Sequence, residues 1–165
     1  MGHAKQKKVL LWLEDEVKTV KEQLDFATTR FHVERVSQLQ TFVKSLNKPD
    51  YHIKGIILDV MLHGVKDLSP LQEGVNTKDG FETGWRVLEY LRSNDSQFKH
   101  IPVLVLSVRD LTEENKAQLE RLKSQTDATP VEFIGKRETT NLGDKDWNQR
   151  FQEWIKDLER GKQND

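Results

Sequence analysis

The chain has 165 residues, with 26 basic and 27 acidic side chains and no cysteine. Domains typically have about 100–200 residues, so this length predicts one domain. The near-neutral charge does not indicate a nucleic-acid or polybasic membrane binder. The lack of cysteine excludes disulfides, thiolate metal sites and cysteine nucleophiles, and it favours a reducing, cytoplasmic location.

Five short apolar runs predict β-strands, because each is rich in β-branched or aliphatic residues and bounded by polar residues. They cover residues 9–13, 31–36, 55–60, 103–106 and 131–134. An amphipathic repeat with helical spacing follows each run, the fourth being weakly apolar and therefore expected to lie exposed. This alternation predicts an α/β fold, namely a doubly wound, five-stranded parallel sheet with five flanking helices.

The domain organisation that we predict has three parts. Residues 1–8 are expected to be a disordered N-terminal segment or the remnant of a cloning tag, and residues 161–165 a C-terminal tail. Between them, residues 9–160 form one domain. It carries an inserted loop, residues 63–79, which has no clear periodicity and exceeds the usual length of such connections.

Polar residues stand where four of the five predicted strands end. In an open α/β sheet these carboxyl ends lie at one edge, where ligands bind. The residues concerned are Glu14, Asp15 and Glu16 after the first strand, Asp59 at the end of the third, Ser107 after the fourth and Lys136 after the fifth.

The chemistry of this set is that of phosphoryl transfer with a hard metal ion. Carboxylates repel one another unless a cation lies among them, and oxygen ligands without histidine or cysteine suit Mg²⁺. A carboxylate can also act as a nucleophile and form an acyl phosphate. The metal and the lysine would then neutralise phosphoryl charge, while the hydroxyl would bond a phosphoryl oxygen.

Five motifs in this order resemble the receiver domain of two-component response regulators, the CheY-like family. VLLWLEDE resembles the first strand with its acidic pair, and IILDVML resembles the third strand with its phosphoacceptor aspartate. DGFETGWRVLEYLR resembles the start of the third helix, IPVLVLS the fourth strand and FIGK the fifth. The resemblance covers nearly the whole chain, and it implies a flavodoxin-like fold.

The resemblance also implies a role for each site residue. Asp59 would receive a phosphoryl group from a histidine kinase or a histidine phosphotransfer protein. Asp15, Asp59 and the backbone carbonyl of Met61 would ligate Mg²⁺ directly, and Glu14 would act through a metal-bound water. Three further residues complete the implied site: Lys136 as the partner of Asp59, Ser107 as the phosphoryl-binding hydroxyl, and Phe133 as the aromatic switch.

The implied protein is a signalling switch and not an enzyme, since it would catalyse only its own phosphotransfer and dephosphorylation. It would act by contacts with a downstream protein of unknown identity, without direct binding of nucleic acid or membrane. A homodimer is one oligomeric state that the resemblance allows. We expect the chain to be a single-domain regulator or a domain excised from a longer protein, because no output domain follows the last predicted helix.

The chain departs from the family pattern at several positions. Arg137 follows the lysine where proline is usual, Val108 follows Ser107 where a small residue is common, and Arg109 lies beside it. We hypothesise that loop 63–79 covers the site or binds a partner. Deletion of residues 65–76 should then alter phosphorylation kinetics or partner binding.

Two other functions stay open. The departures are compatible with a receiver-like adaptor that works without phosphorylation. A small Mg²⁺-dependent phosphatase is less favoured, because no second carboxylate follows Asp59 at a short spacing. Each residue also has an ordinary structural interpretation: acidic residues favour a helix N-terminus, Lys136 could be a solvated surface residue and Phe133 a core residue. The four tryptophans are expected in the core, and the five histidines show no metal-ligand spacing.

Overall fold

A computed structural model describes most of the chain: residues 7–62, 67–69, 72–76, 80, 82–93, 96–108, 111–124, 129, 131–136 and 146–161. The predictions for residues 1–6 and 162–165 fall outside these residues, as do those for Arg109 and Arg137. In the part that is described, no helix has the length and apolar character that crossing a membrane requires.

Five parallel strands form one sheet: β1 (Lys7–Leu13), β2 (His32–Val36), β3 (Tyr51–Asp59), β6 (Val103–Ser107) and β7 (Val131–Gly135). Their spatial order is β2-β1-β3-β6-β7. The apolar runs form strands because both faces of the sheet are covered; the last five residues of β1 and all of β6 are buried. The predicted five-stranded parallel sheet is thus confirmed.

Five helices cover the two faces of the sheet, which confirms the doubly wound architecture. They are α1 (Lys21–Thr28), α2 (Leu39–Leu46), α3 (Thr83–Leu91), α4 (Glu113–Lys123) and α5 (Trp147–Arg160). One core cluster contains apolar residues of α2, α3 and α4, and the other contains those of α1 and α5. Trp12, Trp85 and Trp154 are buried in these clusters, while Trp147 is half-buried at the edge of the second.

Local sequence signals determine where two of the helices begin. The Thr112 hydroxyl accepts a hydrogen bond from the Asn115 backbone and caps α4, so the helix begins after Thr112. Asp146 and Gln149 form a reciprocal capping box at the start of α5. The helix α5 ends at Gly161, whose φ of 72° is readily adopted by glycine.

Several predicted boundaries were wrong by a few residues. Lys7 and Lys8 were expected in a disordered segment, but they belong to β1, because they pair with Tyr51 and His52 at the start of β3. The first helical segment is divided into a 3₁₀ turn (Val17–Val20) and α1. Helix α4 is exposed over most of its residues, as expected, and it buries only two leucines and two polar side chains: Asn115, Gln118, Leu119 and Leu122.

The inserted segment 63–79 contains a short hairpin that its sequence pattern does not reveal. Strand β4 (Asp67–Leu68) pairs antiparallel with β5 (Gln72–Asn76). Leu68 is fully buried in the cluster that contains α3, and Val75 packs against the same cluster. A two-residue strand has too few positions to show alternation, so its one buried leucine carries no recognisable period.

A buried arginine ties the end of α3 to the loops beneath the sheet. Arg92 is 3% exposed, and its guanidinium donates to the backbone carbonyls of Phe98, Ile101 and Thr129. Burial lowers the pKa of Arg92 to about 10. The three carbonyl contacts compensate for the loss of hydration of a charged group, so Arg92 serves the fold at the end of the sheet away from the strand carboxyl ends.

Candidate functional site

The site lies at the carboxyl edge of the sheet, where β3 is flanked by β1 and β6. Glu14 and Asp15 follow β1 directly, and Asp59 is the last residue of β3. Ser107 ends β6, and Lys136 follows β7. This is the edge at which the parallel strands of open α/β sheets present their ligand-binding residues.

Three carboxylates converge at this edge. Glu14, Asp15 and Asp59 each offer an oxygen within 4.8 Å of the others. Glu14 is fully buried, Asp59 is 7% exposed and Asp15 is half-buried. Such a close and buried set of oxygen donors fits a hard divalent cation such as Mg²⁺, because the cation would relieve the repulsion between the carboxylates.

Lys136 brings a positive charge into direct contact with two of these carboxylates. Its ammonium nitrogen donates to Asp59 Oδ2 at 3.0 Å and to Glu14 Oε2 at 3.3 Å. The Lys136 side chain is 6% exposed, and its backbone N–H donates to the Ser107 carbonyl at 2.7 Å. The backbone bond fixes the residue beside the end of β6, so the side chain is directed into the acidic cluster.

The electrostatics of the cluster show that one lysine does not fully balance its acids. Burial, followed by the hydrogen bond and repulsion of Asp59, raises the pKa of Glu14 to about 8, although Lys136 opposes this shift. For Lys136, burial lowers the pKa, but attraction to Asp59 and Glu14 outweighs it, so the pKa is raised. The site therefore holds a permanent ammonium and has a capacity for further positive charge.

Backbone N–H groups orient two of the carboxylates. Glu14 Oε1 accepts from the Glu16 N–H at 3.1 Å, and Asp59 Oδ1 accepts from the Met61 N–H at 3.1 Å. Asp59 thus receives a hydrogen bond on each oxygen, one from the backbone and one from Lys136. The Met61 N–H is fixed by the local chain and the Lys136 ammonium is held by its contacts with two carboxylates, so the carboxylate of Asp59 is held in one orientation.

Arg35 is a contributor that the strand-end pattern did not reveal. It stands one residue before the end of β2, and its guanidinium donates to the backbone carbonyl of Glu14 at 2.9 Å. This contact holds the turn that presents Glu14 and Asp15. Arg35 lies within the second strand and not after its last residue, so a pattern that selects the residues following each strand does not identify it.

The remaining residues of the predicted site lie around this cluster. Ser107 is buried beside Gly135 at the edge of the sheet. The half-buried ring of Phe133 stacks on Trp85 of α3, with centroids 5.9 Å apart and ring planes 13° apart. Val108, which follows Ser107, is 49% exposed.

Solved protein structures resemble this chain, whereas comparisons of its sequence find no match. No protein-family model matches the chain, and no curated protein matches its sequence. A response regulator receiver protein from Sinorhizobium medicae WSM419 matches with a TM-score of 0.55 and 15% identity, covering 94% of this chain and 96% of that chain. The chain has the fold of a receiver domain.

Other solved receiver domains support the same fold. The signal receiver domain of a response regulator from Bacteroides fragilis matches with a TM-score of 0.56 and 13% identity, over 93% of this chain and 97% of its own. The receiver domain of a histidine kinase from Syntrophus aciditrophicus matches with a TM-score of 0.55 and 18% identity, over 93% and 91%. Because the sequence identities are so low, these structural matches establish the fold alone. Any chemistry must be argued from the site residues of this chain.

Proposed function

We propose that the protein is a phosphoacceptor signalling switch in which Asp59 receives a phosphoryl group. The observation that carries this proposal is the bridge from Lys136 to Asp59 and Glu14, with Asp15 completing a three-carboxylate cluster. A structural lysine needs one acidic partner, whereas this buried lysine is shared between two carboxylates that also meet a third. That arrangement suits the binding of a cation and an anion at the same place.

The chain's own residues supply the nucleophile and much of the charge compensation. A carboxylate oxygen of Asp59 forms a bond to phosphorus while the bond from phosphorus to the donor breaks and its electron pair leaves with the donor. Lys136 would stabilise the added negative charge, and the Ser107 hydroxyl would donate to a phosphoryl oxygen. When bound by Glu14, Asp15, Asp59 and the Met61 carbonyl, Mg²⁺ would supply further neutralisation of the phosphoryl charge.

The proposed donor is a histidine kinase or a histidine phosphotransfer protein, and the proposed output is contact with another protein. The stacked pair of Phe133 and Trp85 links the strand that precedes Lys136 to α3. A shift of Ser107 or Lys136 towards a phosphoryl group would move the Phe133 ring relative to Trp85. This ring pair would therefore change its arrangement when Asp59 is phosphorylated. We propose a cytoplasmic location for these events, where such donors act.

A second candidate function is supported by one observation. The ion pairs of Lys136 with Asp59 and Glu14 compensate part of the acidic charge within the protein itself, as an adaptor that is never phosphorylated would require. The raised pKa of Glu14 argues for the switch, because a purely structural cluster would gain from a better balance of charge.

Intact-mass measurement separates the two functions. The protein is incubated with Mg²⁺ and acetyl phosphate, alongside Asp59→Asn and the control Asp157→Asn on the exposed side of α5. The switch predicts a phosphate-sized mass gain in the wild type and in Asp157→Asn that is absent in Asp59→Asn. An unchanged mass with acetyl phosphate and with histidine kinases would support the adaptor.

A further inference from the structure

The first turn of α3 lies unusually close to the backbone of Asp59. The Gly84 N–H donates to the Val60 carbonyl at 2.9 Å. A Cβ atom placed on Gly84 would overlap the carbonyl oxygen of Asp59 and lie 2.8 Å from the Cα of Val60. These neighbours are main-chain atoms at the end of β3, so they cannot turn away as a flexible side chain would.

Backbone torsion does not require glycine at this position. Gly84 lies within α3 and is not among the glycines with positive φ, so alanine would adopt its backbone conformation readily. Glycine inside a helix is normally destabilising relative to alanine. The close approach to Asp59 and Val60 is therefore the feature that calls for glycine.

The packing of Gly84 on the backbone of residues 59–60 matters more because the connection between β3 and α3 is long. Seventeen residues, 63–79, separate the end of the Asp59 segment from α3, so chain connectivity imposes little on their relative position. The two ends are instead joined by a contact, in which the Leu62 N–H donates to the Gly80 carbonyl at 2.9 Å. The Thr83 hydroxyl donates to the same carbonyl at 3.2 Å and so ties Gly80 to the first turn of α3.

We propose that Gly84 is a positioning residue for the phosphoacceptor, which rests on the function proposed above. Its missing side chain lets α3 dock directly on the backbone of residues 59–60. That docking fixes Asp59 against Lys136 and Asp15, and it fixes the carbonyl of Met61 as a metal ligand. A Cβ at this position would push the end of β3 away from α3 and displace the carboxylate and the carbonyl together.

Gly55 offers a matched control on the same strand. A Cβ on Gly55 would lie 2.7 Å from Leu158 Cδ2 and 3.1 Å from the Trp154 ring, both side chains of α5. Gly55→Ala therefore also crowds the protein, but it does so four residues before Asp59 and against side-chain atoms that can adjust. Gly55→Ala therefore measures how far crowding by an added methyl group in β3 changes the phosphorylation rate when the crowding lies away from Asp59.

The test compares the wild type, Gly84→Ala and Gly55→Ala by phosphorylation with acetyl phosphate at a series of Mg²⁺ concentrations. Because an ångström-scale misplacement at a reacting group is costly, Gly84→Ala should lower the maximum rate and raise the Mg²⁺ midpoint by at least about tenfold each. Gly55→Ala should leave both within about twofold, since its clash lies against α5. A normal rate and midpoint in Gly84→Ala would overturn the proposal.

Two further measurements separate this proposal from its alternatives. If Gly84→Ala does not fold, Thr83→Val keeps the side-chain volume and removes the anchor to Gly80; it should show the same direction of change, and wild-type values would overturn the proposal. If the wild type accepts no phosphate, the proposed function fails. The Mg²⁺ midpoint from tryptophan fluorescence then decides on Gly84: a raised midpoint in Gly84→Ala supports the positioning role, and an equal midpoint or no response overturns it.

Discussion

Lys136 Nζ lies 3.0 Å from Asp59 Oδ2, although the two residues are 77 positions apart in the chain. The same nitrogen lies 3.3 Å from Glu14 Oε2, which is 122 positions away. Three strands of the sheet thus deliver their charged groups to one buried point, and the balance of charge at that point determines both stability and reactivity.

Removal of the lysine should leave two buried acids without their shared cation. Lys136→Met is expected to lower the free energy of unfolding by about 3–5 kcal/mol at pH 8, because an unpaired buried charge is costly. The loss should be smaller at pH 5, where Glu14 is protonated. Denaturant unfolding of both proteins at the two pH values measures this loss, and Lys156→Met, at an exposed position of α5, is the control. Equal losses at both pH values would contradict the prediction.

The stability of the metal-free protein should fall as the pH rises. The pKa of Glu14 is 4.5 in the unfolded reference and about 8 in the folded protein, so the folded state binds more protons between these values. The contribution of Glu14 to the free energy of unfolding is therefore fully present below pH 4.5, and this contribution is lost as the pH rises through about 8. Lys136, whose pKa is raised, contributes constantly throughout this window.

Glu14→Gln provides the comparison that isolates this contribution. Its unfolding free energy should decline less between pH 5 and pH 8.5 than that of the wild type, both measured in the presence of a chelator. Parallel pH profiles would show that Glu14 titrates normally.

Magnesium affinity should depend on pH for the same reason. Below pH 8, Mg²⁺ must displace the proton of Glu14, so its apparent affinity should rise by up to about tenfold per pH unit between pH 6 and pH 8. Binding should release a proton, which calorimetry in buffers of different ionisation enthalpy detects. Glu14→Gln should bind more weakly with a flatter profile; a wild type whose affinity is constant over this range would contradict the prediction.

The stacked rings of Trp85 and Phe133 should report phosphorylation. Their centroids are 5.9 Å apart, so movement of β7 would change the surroundings of Trp85. Acetyl phosphate with Mg²⁺ should alter tryptophan emission in the wild type, and Trp85→Phe should remove most of that change while still accepting phosphate. A full emission change in Trp85→Phe would locate the movement elsewhere.

The fold was predictable from the sequence because its signals are local. The apolar runs before Glu14 and Asp59 are bounded clearly enough to place both residues at strand ends, and parallel strands bring such ends to one edge. The sequence could not give the distances, nor that Lys136 is shared between two acids. Those depend on how deeply each strand end is buried.

The site residues that the sequence pattern missed contact partners that are distant in the chain. Arg35 reaches the carbonyl of Glu14 from a neighbouring strand, and Gly84 matters because of the space it leaves beside Asp59. A glycine within an amphipathic helix was a visible signal, but its partner could be identified only in three dimensions. Leu68 was hidden for a similar reason, since one buried residue in a short hairpin forms no pattern.

Chemical trapping reveals which side chain carries the phosphoryl group, which we propose is Asp59. Protein treated with Mg²⁺ and acetyl phosphate is reduced with borohydride, which converts an aspartyl phosphate to homoserine, and its peptides are sequenced by mass spectrometry. We expect homoserine at position 59, at levels that depend on Mg²⁺ and on Lys136. Phosphate retained with aspartate intact at position 59, or homoserine at Asp15 instead, would contradict this expectation.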